Sequence, residues 1–170
     1  MSDKTWFGSH WDREPHISDK EVFKKLEGRI IMSVTGKVGD EEVLIKTACG
    51  ITFRLYHQHD CCESVNLHDV DGDLQDLVGH KVVLASMESN AGNEHDDATG
   101  EEWRQKPSEY SESWTWTFVK IQSMGASLTM RWLGESNGYY GEEVSVEATL
   151  DEDANSDACV VVGGSHSFSH

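Results

Sequence analysis

Residues 114–119 constrain the fold more than any other segment, because aromatic and β-branched side chains alternate there without a break. Successive side chains of a β-strand point to opposite faces of the sheet. The alternation places Trp114, Trp116 and Phe118 on one face, and Val119 with the two threonines on the other. The pattern predicts a strand with one aromatic face.

Three segments nearer the N-terminus also have the composition of strands. Residues 29–38, 42–48 and 51–56 are rich in Ile, Val, Thr and Phe, and short glycine-containing stretches separate them. The Cys49-Gly50 pair is typical of a tight hairpin turn. We therefore expect consecutive antiparallel strands.

Two segments predict helices. Ser18 and Glu21 have the spacing of a capping box, in which each side chain bonds the backbone N–H of the other residue. Residues 71–79 predict a short helix that is capped by Asp71 or Asp73 and stopped by a glycine.

A late hairpin is predicted by the Asn137-Gly138 dipeptide, because both residues tolerate the positive φ angles of a type I′ turn. The flanking apolar segments, residues 128–133 and 144–146, would be its two strands.

Residues 57–63, called the His/Cys segment below, hold two histidines, two cysteines and two carboxylates. If this segment is extended, His57, His59, Cys61 and Glu63 share one face. Imidazole, thiolate and carboxylate groups are ligands of transition metals, and these four are candidate ligands for zinc. Their spacing matches no standard zinc pattern.

Two other interpretations of the His/Cys segment stay open. A cysteine thiolate beside a histidine base is the arrangement of a nucleophile, and Asp60 with Glu63 suits acid–base chemistry. Alternatively, Cys61 and Cys62 are small buried hydrophobic residues. A disulfide between adjacent cysteines would close a strained ring, so we expect reduced thiols.

The aromatic strand and the segments after it predict a second candidate site, for a ligand with a planar ring and a phosphate. Such a nucleotide-like ligand would stack on the aromatic rings and bind the arginine, although aromatic residues on one face of a strand are also typical of a sheet core. The candidate ligand-binding residues are Trp114, Trp116, Arg131, Trp132, Tyr139 and Tyr140.

The negative charge of the chain limits which kinds of molecule it can bind. Thirty-one acidic and 14 basic residues give a formal net charge of −17, which opposes binding to nucleic acid or to an anionic membrane surface. A basic protein is a compatible partner. Apart from the charge argument, a homo-oligomer also stays open. The N-terminus has no signal-peptide pattern and no apolar run reaches membrane-spanning length, so we expect a cytoplasmic protein.

The predicted fold class is α+β. We expect a predominantly antiparallel β-sheet, as a sandwich or half-barrel, with one N-terminal helix and one short helix after the His/Cys segment. Residues 1–16 are expected to form an extended arm and residues 17–148 a single domain with a long acidic loop at 89–112. Residues 149–170 are acidic and rich in Gly and Ser, and are expected to be a disordered tail.

A set of ordered motifs gives the chain a resemblance to a known family. The motifs are HDCCESV at 59–65, SWTWTF at 113–118, Arg-Trp at 131–132 and GESNGYY at 134–140. Over residues 55–146 they resemble a widespread family of small tailed-bacteriophage proteins defined as a domain of unknown function. The resemblance implies a phage origin and does not imply a mechanism.

A phage origin favours an accessory protein that acts in the host cytoplasm during infection. We expect a non-enzymatic binding protein that counters host defence. It would sequester a nucleotide-derived signalling molecule, or occupy a host defence protein through its acidic surface. The alternative is a metal- or thiol-dependent hydrolase centred on residues 57–63.

Overall fold

A computed structural model describes residues 17–93 and 106–151. Residues 1–16, 94–105 and 152–170 lie outside the described residues, and with them the expected N-terminal arm, half of the acidic loop and most of the tail.

Within the described residues, eight antiparallel strands form two four-stranded sheets, which confirms the predicted α+β class with mainly antiparallel strands. The strands are β1 (Ile31–Thr35), β2 (Glu42–Thr47), β3 (Ile51–Tyr56), β4 (Ser64–Asp71), β5 (Val82–Asn93), β6 (Ser113–Ser123), β7 (Ser127–Ser136) and β8 (Ser145–Leu150). The first sheet has the order β1-β2-β3-β8 and the second has the order β4-β7-β6-β5.

Alternate residues of both sheets are buried between them and form the core. Phe53 and Leu55 come from the first sheet, Ile121 and Met130 come from the second, and all four are fully buried. Burying one such side chain stabilises a fold by about 1.5–3 kcal/mol. The two inner faces together therefore supply the main stabilisation.

Helix α1 (Asp19–Lys24) packs against this core. The predicted capping box is confirmed, because the Ser18 side chain accepts from the Glu21 backbone N–H and the Glu21 carboxylate accepts from the Ser18 N–H. The Asp19 carboxylate accepts a 2.7 Å hydrogen bond from the backbone N–H of Val146, which ties the helix to β8. Among the described residues, no helix is long and apolar enough to cross a membrane.

Within the described residues, backbone hydrogen bonds join the segments on either side of β1 to strands of the second sheet at two places. Val82 exchanges bonds of 2.8 and 2.9 Å with residues 28–29, and Leu67 exchanges bonds of 2.7 and 2.8 Å with residues 39–40. Between these places the second predicted helix is a single 3₁₀ turn, Leu74–Leu77, which the Asp73 carboxylate caps.

The acidic loop begins later than predicted, because β5 continues through Asn93 and pairs along its whole length with β6. Residues 89–93 are therefore strand. Gly92 lies directly opposite Trp114, and a Cβ atom at Gly92 would be 2.5 Å from the indole Nε1. The polar sequence hid this strand because its stabilising partner is the large aromatic ring of the neighbouring strand.

The predicted hairpin between residues 128–133 and 144–146 is wrong. Gly138 has the expected positive φ of 90°, but β7 and β8 belong to different sheets, and β8 pairs with β3. The turn only begins the connection, and residues 141–144 then cross from one sheet to the other. In addition, β8 ends at Leu150, two residues beyond the expected domain boundary.

Replacing Gly92 with alanine tests the contact with Trp114. We expect the free energy of unfolding to fall by about 1–3 kcal/mol, because the added Cβ overlaps a ring that is itself buried and cannot swing into solvent. Chemical denaturation measures this change. The double variant Gly92→Ala/Trp114→Leu should be less destabilised than the sum of the two single variants, and additive effects would contradict the predicted clash.

Candidate functional site

Both crossings between the sheets, residues 57–63 and 137–144, lie at the same end of the molecule. This follows from the strand pairing, because the end of β3 pairs with the start of β8 and the start of β4 pairs with the end of β7. The polar and titratable side chains of the two crossings meet at this end.

The His/Cys segment is an irregular loop, so it does not have the extended conformation that would place His57, His59, Cys61 and Glu63 on one face. It wraps around the carboxylate of Glu63, whose side chain is only 1% exposed. One carboxylate oxygen, Oε1, accepts backbone hydrogen bonds of 2.9 Å from both Asp60 and Cys61. The backbone of the loop therefore hydrogen-bonds to this carboxylate and does not pair with a neighbouring strand.

Two histidines flank the Glu63 carboxylate on its two oxygens. His59 Nδ1 lies 3.3 Å from Oε1, and His57 Nε2 lies 3.6 Å from Oε2. The other nitrogen of His57, Nδ1, donates a 2.8 Å bond to the backbone carbonyl of Glu143, which links the two crossings. Neither His57 Nε2 nor Glu63 Oε2 has a hydrogen-bond partner in the part of the chain that the structure describes.

The pKa of Glu63 is lowered by its surroundings. Burial alone would raise the pKa of this carboxyl group, but the backbone N–H bonds from Asp60 and Cys61, and the nearby His59, favour the charged form more strongly. Glu63 is therefore a carboxylate at neutral pH.

The expectation of reduced thiols at Cys61 and Cys62 is wrong, since the structure joins the two residues in a disulfide. In an extended strand these neighbouring side chains would point to opposite faces. The loop turns around Glu63 instead, so both sulfurs meet on its exposed side.

The structure brings only part of the predicted metal-ligand set together. His57, His59 and Glu63 do come together, but Cys61 is bonded to Cys62 and offers no thiolate. Within residues 17–93 and 106–151, no three His, Cys, Asp or Glu side chains are placed to hold a metal ion. The prediction assumed an extended backbone, whereas the segment folds as a loop.

A second buried carboxylate, Glu142, was missed by the sequence analysis. It accepts hydrogen bonds from Thr115 Oγ1, at 2.9 Å, and from Ser136 Oγ. The backbone of Glu142 passes so close to Gly134 that a Cβ there would lie 2.4 Å from the Glu142 carbonyl oxygen. A glycine within a strand was the available signal, because such glycines often mark the close approach of another backbone.

A cleft of about 340 Å³ opens beside the disulfide. Ser111 and Ser136 are buried in it, and Ser111 Oγ donates to the Glu135 carboxylate. Tyr110 is 84% exposed. The residues that line the cleft are Cys62, Ser64, Ser108, Tyr110, Ser111, Glu112, Glu135, Ser136 and Asn137, and none of them is basic.

The structure separates the residues of the predicted aromatic ligand site from one another. Trp114, Trp116 and Arg131 lie on the outer face of the second sheet, where Trp116 meets His68 edge-on with ring centroids 5.0 Å apart. Trp132 pairs with Thr117 on the inner face and is fully buried in the core, so it cannot stack with the other two tryptophans.

The structure also places the arginine and the two tyrosines of the predicted ligand-binding set. Arg131 Nε donates a 3.1 Å bond to the Asp69 carboxylate, and this contact lowers the pKa of Asp69. Tyr139 is 88% exposed after the end of β7, and Tyr140 beside it is half-buried. The arginine charge that was assigned to a phosphate is thus engaged by a carboxylate.

The substitution Glu63→Gln tests the role of the buried carboxylate. The pKa of Glu63 is lower in the folded chain, so the unfolded chain binds more protons as the pH falls below about 4.3, and stability is lost in that range. We expect thermal unfolding of the variant to depend less on acidic pH than that of the wild type. Glu41→Gln, at an exposed position, should keep the wild-type dependence, and superimposable profiles for all three proteins would contradict the assignment.

The chain was compared with known proteins. No curated protein and no solved structure matches it. A family model described as a domain of unknown function, DUF7448, matches residues 24–146, and the chain therefore belongs to that family.

Proposed function

We propose that this protein is a phage accessory protein that binds a basic host protein and thereby counters host defence, without catalysing a reaction. The observation that carries the proposal is the cleft beside the His/Cys segment, on a chain with a net charge of −17.

The lining of the cleft suits a cationic side chain. Glu112 and Glu135 supply negative charge, the serines and Asn137 supply hydrogen-bonding groups, and Tyr110 supplies an exposed aromatic ring. A lysine or arginine gains from all three, since carboxylates pair with it and an aromatic face attracts it. The volume is at the small end of ligand pockets, which span roughly 300–1,000 Å³.

The electrostatic field of the whole chain also favours a basic protein as the partner. A surface with a large excess of one charge attracts an oppositely charged protein and accelerates their association. The same charge repels phosphate groups, so the carboxylates of the cleft disfavour the nucleotide-derived signal that we considered from sequence. The separation of Trp132 from Trp114 and the pairing of Arg131 with Asp69 weaken that alternative further.

The hydrolase alternative receives less support. A cysteine nucleophile needs a free thiolate, and Cys61 and Cys62 are joined. The Glu63 carboxylate is buried and already accepts two backbone hydrogen bonds, which is the arrangement of a group that orders a loop. The phage origin in this proposal is supported by the family resemblance of the ordered motifs.

Binding of a fluorescein-labelled oligolysine peptide tests the cleft as the binding site. Fluorescence anisotropy should show saturable binding that weakens as salt is added, because salt screens exposed charges. The variant Glu112→Gln/Glu135→Gln should weaken binding by on the order of tenfold, since it removes both charges that line the cleft and preserves side-chain shape. An oligolysine with acetylated side chains should not bind.

The matched control is Glu41→Gln, which removes an exposed carboxylate that does not line the cleft. It should bind the peptide nearly as well as the wild type. If the affinity lost for each removed carboxylate is the same in the control and in the cleft variant, binding depends only on the overall charge. That result would rule out the cleft as the site.

A further inference from the structure

We propose that Cys61 and Cys62 form a reversible thiol–disulfide site whose redox state sets the shape of the cleft wall. This inference concerns control of the cleft and holds for any occupant. It rests on the position of the pair, on its exposure and on the hydrogen bonds of its backbone.

The pair is open to a reductant. Cys61 and Cys62 are both exposed, whereas the other cysteine in the described residues, Cys49, is buried and lies 3.4 Å from Arg29 Nη1 and 3.3 Å from Thr47 Oγ1. Thiol–disulfide exchange requires access of the attacking thiolate to a sulfur. The exchange should therefore be selective for the Cys61–Cys62 pair.

A disulfide between neighbours adds little to global stability. A cross-link stabilises a fold mainly by restricting the unfolded chain, and this effect grows with the length of the closed loop. The loop closed here joins residues that are one apart in sequence. Because the bond contributes little to the stability of the whole fold, we assign it a local role.

The pair is connected to the cleft through two neighbouring contacts. The backbone N–H of Cys61 donates to the buried Glu63 carboxylate, and Cys62 lines the cleft. The disulfide therefore holds the cleft wall against the carboxylate that orders the loop. Breaking the bond frees both side chains to rotate and releases the wall at Cys62.

The exchange reaction balances with a dithiol as the reductant. A thiolate of the dithiol attacks one of the two sulfurs, a mixed disulfide forms, and the other cysteine leaves as a thiolate that takes a proton. The second thiol of the reductant then attacks the mixed disulfide. The reductant ends as its own disulfide, and two electrons and two protons reside on Cys61 and Cys62.

The first experiment measures whether the bond forms and breaks. Full-length protein carrying Cys159→Ser is kept in air, denatured and alkylated with iodoacetamide, with and without prior dithiothreitol, and its peptides are analysed by mass spectrometry. The substitution removes the one cysteine outside the described residues. We expect label at Cys49 alone without reductant, and at Cys49, Cys61 and Cys62 after reduction. Label at Cys61 and Cys62 without reductant would overturn the proposal.

The second experiment measures whether the bond controls the cleft. Amide NMR spectra of the same protein are compared before and after dithiothreitol. We expect shifts at Ser111 and Asn137 in the cleft, and amide exchange at Cys61 that is faster by on the order of tenfold. Amides around the buried Cys49 should stay unchanged.

The variant Cys61→Ser/Cys62→Ser is the control for that comparison. It should reproduce the reduced spectrum in the cleft and show no response to dithiothreitol. Changes confined to Cys61 and Cys62 themselves would overturn the coupling to the cleft, and so would a response of the double-serine variant equal to that of the parent protein.

Discussion

The structure depends on the burial of the facing sides of two antiparallel sheets. Phe53 and Leu55 of the first sheet meet Ile121, Met130 and other apolar residues of the second, and water is excluded between them. Because this core needs both sheets, the chain must cross between them after β3 and after β7. The two crossings bring polar residues to one end of the core, and the candidate site forms there.

Two buried carboxylates organise that end of the molecule in different ways. Glu63 accepts backbone N–H groups of its own loop, and Glu142 accepts hydroxyl groups of Thr115 and Ser136. A buried charge is tolerated only when hydrogen bonds replace the water it has lost. The bond from His57 to the Glu143 carbonyl joins the two crossings beside the cleft.

The chemistry of the cleft follows from what these crossings expose. Its hydroxyl, amide and carboxylate groups suit a cationic group, and the net charge of the chain extends the same preference over a longer range. The disulfide at its edge adds a covalent bond that is accessible from solvent and that the loop backbone ties to Glu63. The proposed recognition surface and the proposed control point thus lie next to each other at this end of the molecule.

The sequence by itself determined the strand composition, the capping box at Ser18 and the overall charge, because these depend on local periodicity and on residue type. Only the tertiary structure decided that β7 and β8 pair in different sheets, that Trp132 faces the core, and that residues 57–63 curl around Glu63. A local pattern shows that side chains alternate, but it does not show which face a second sheet will cover. That choice depends on burial between segments distant in the chain, and it decided which of the predicted site residues meet.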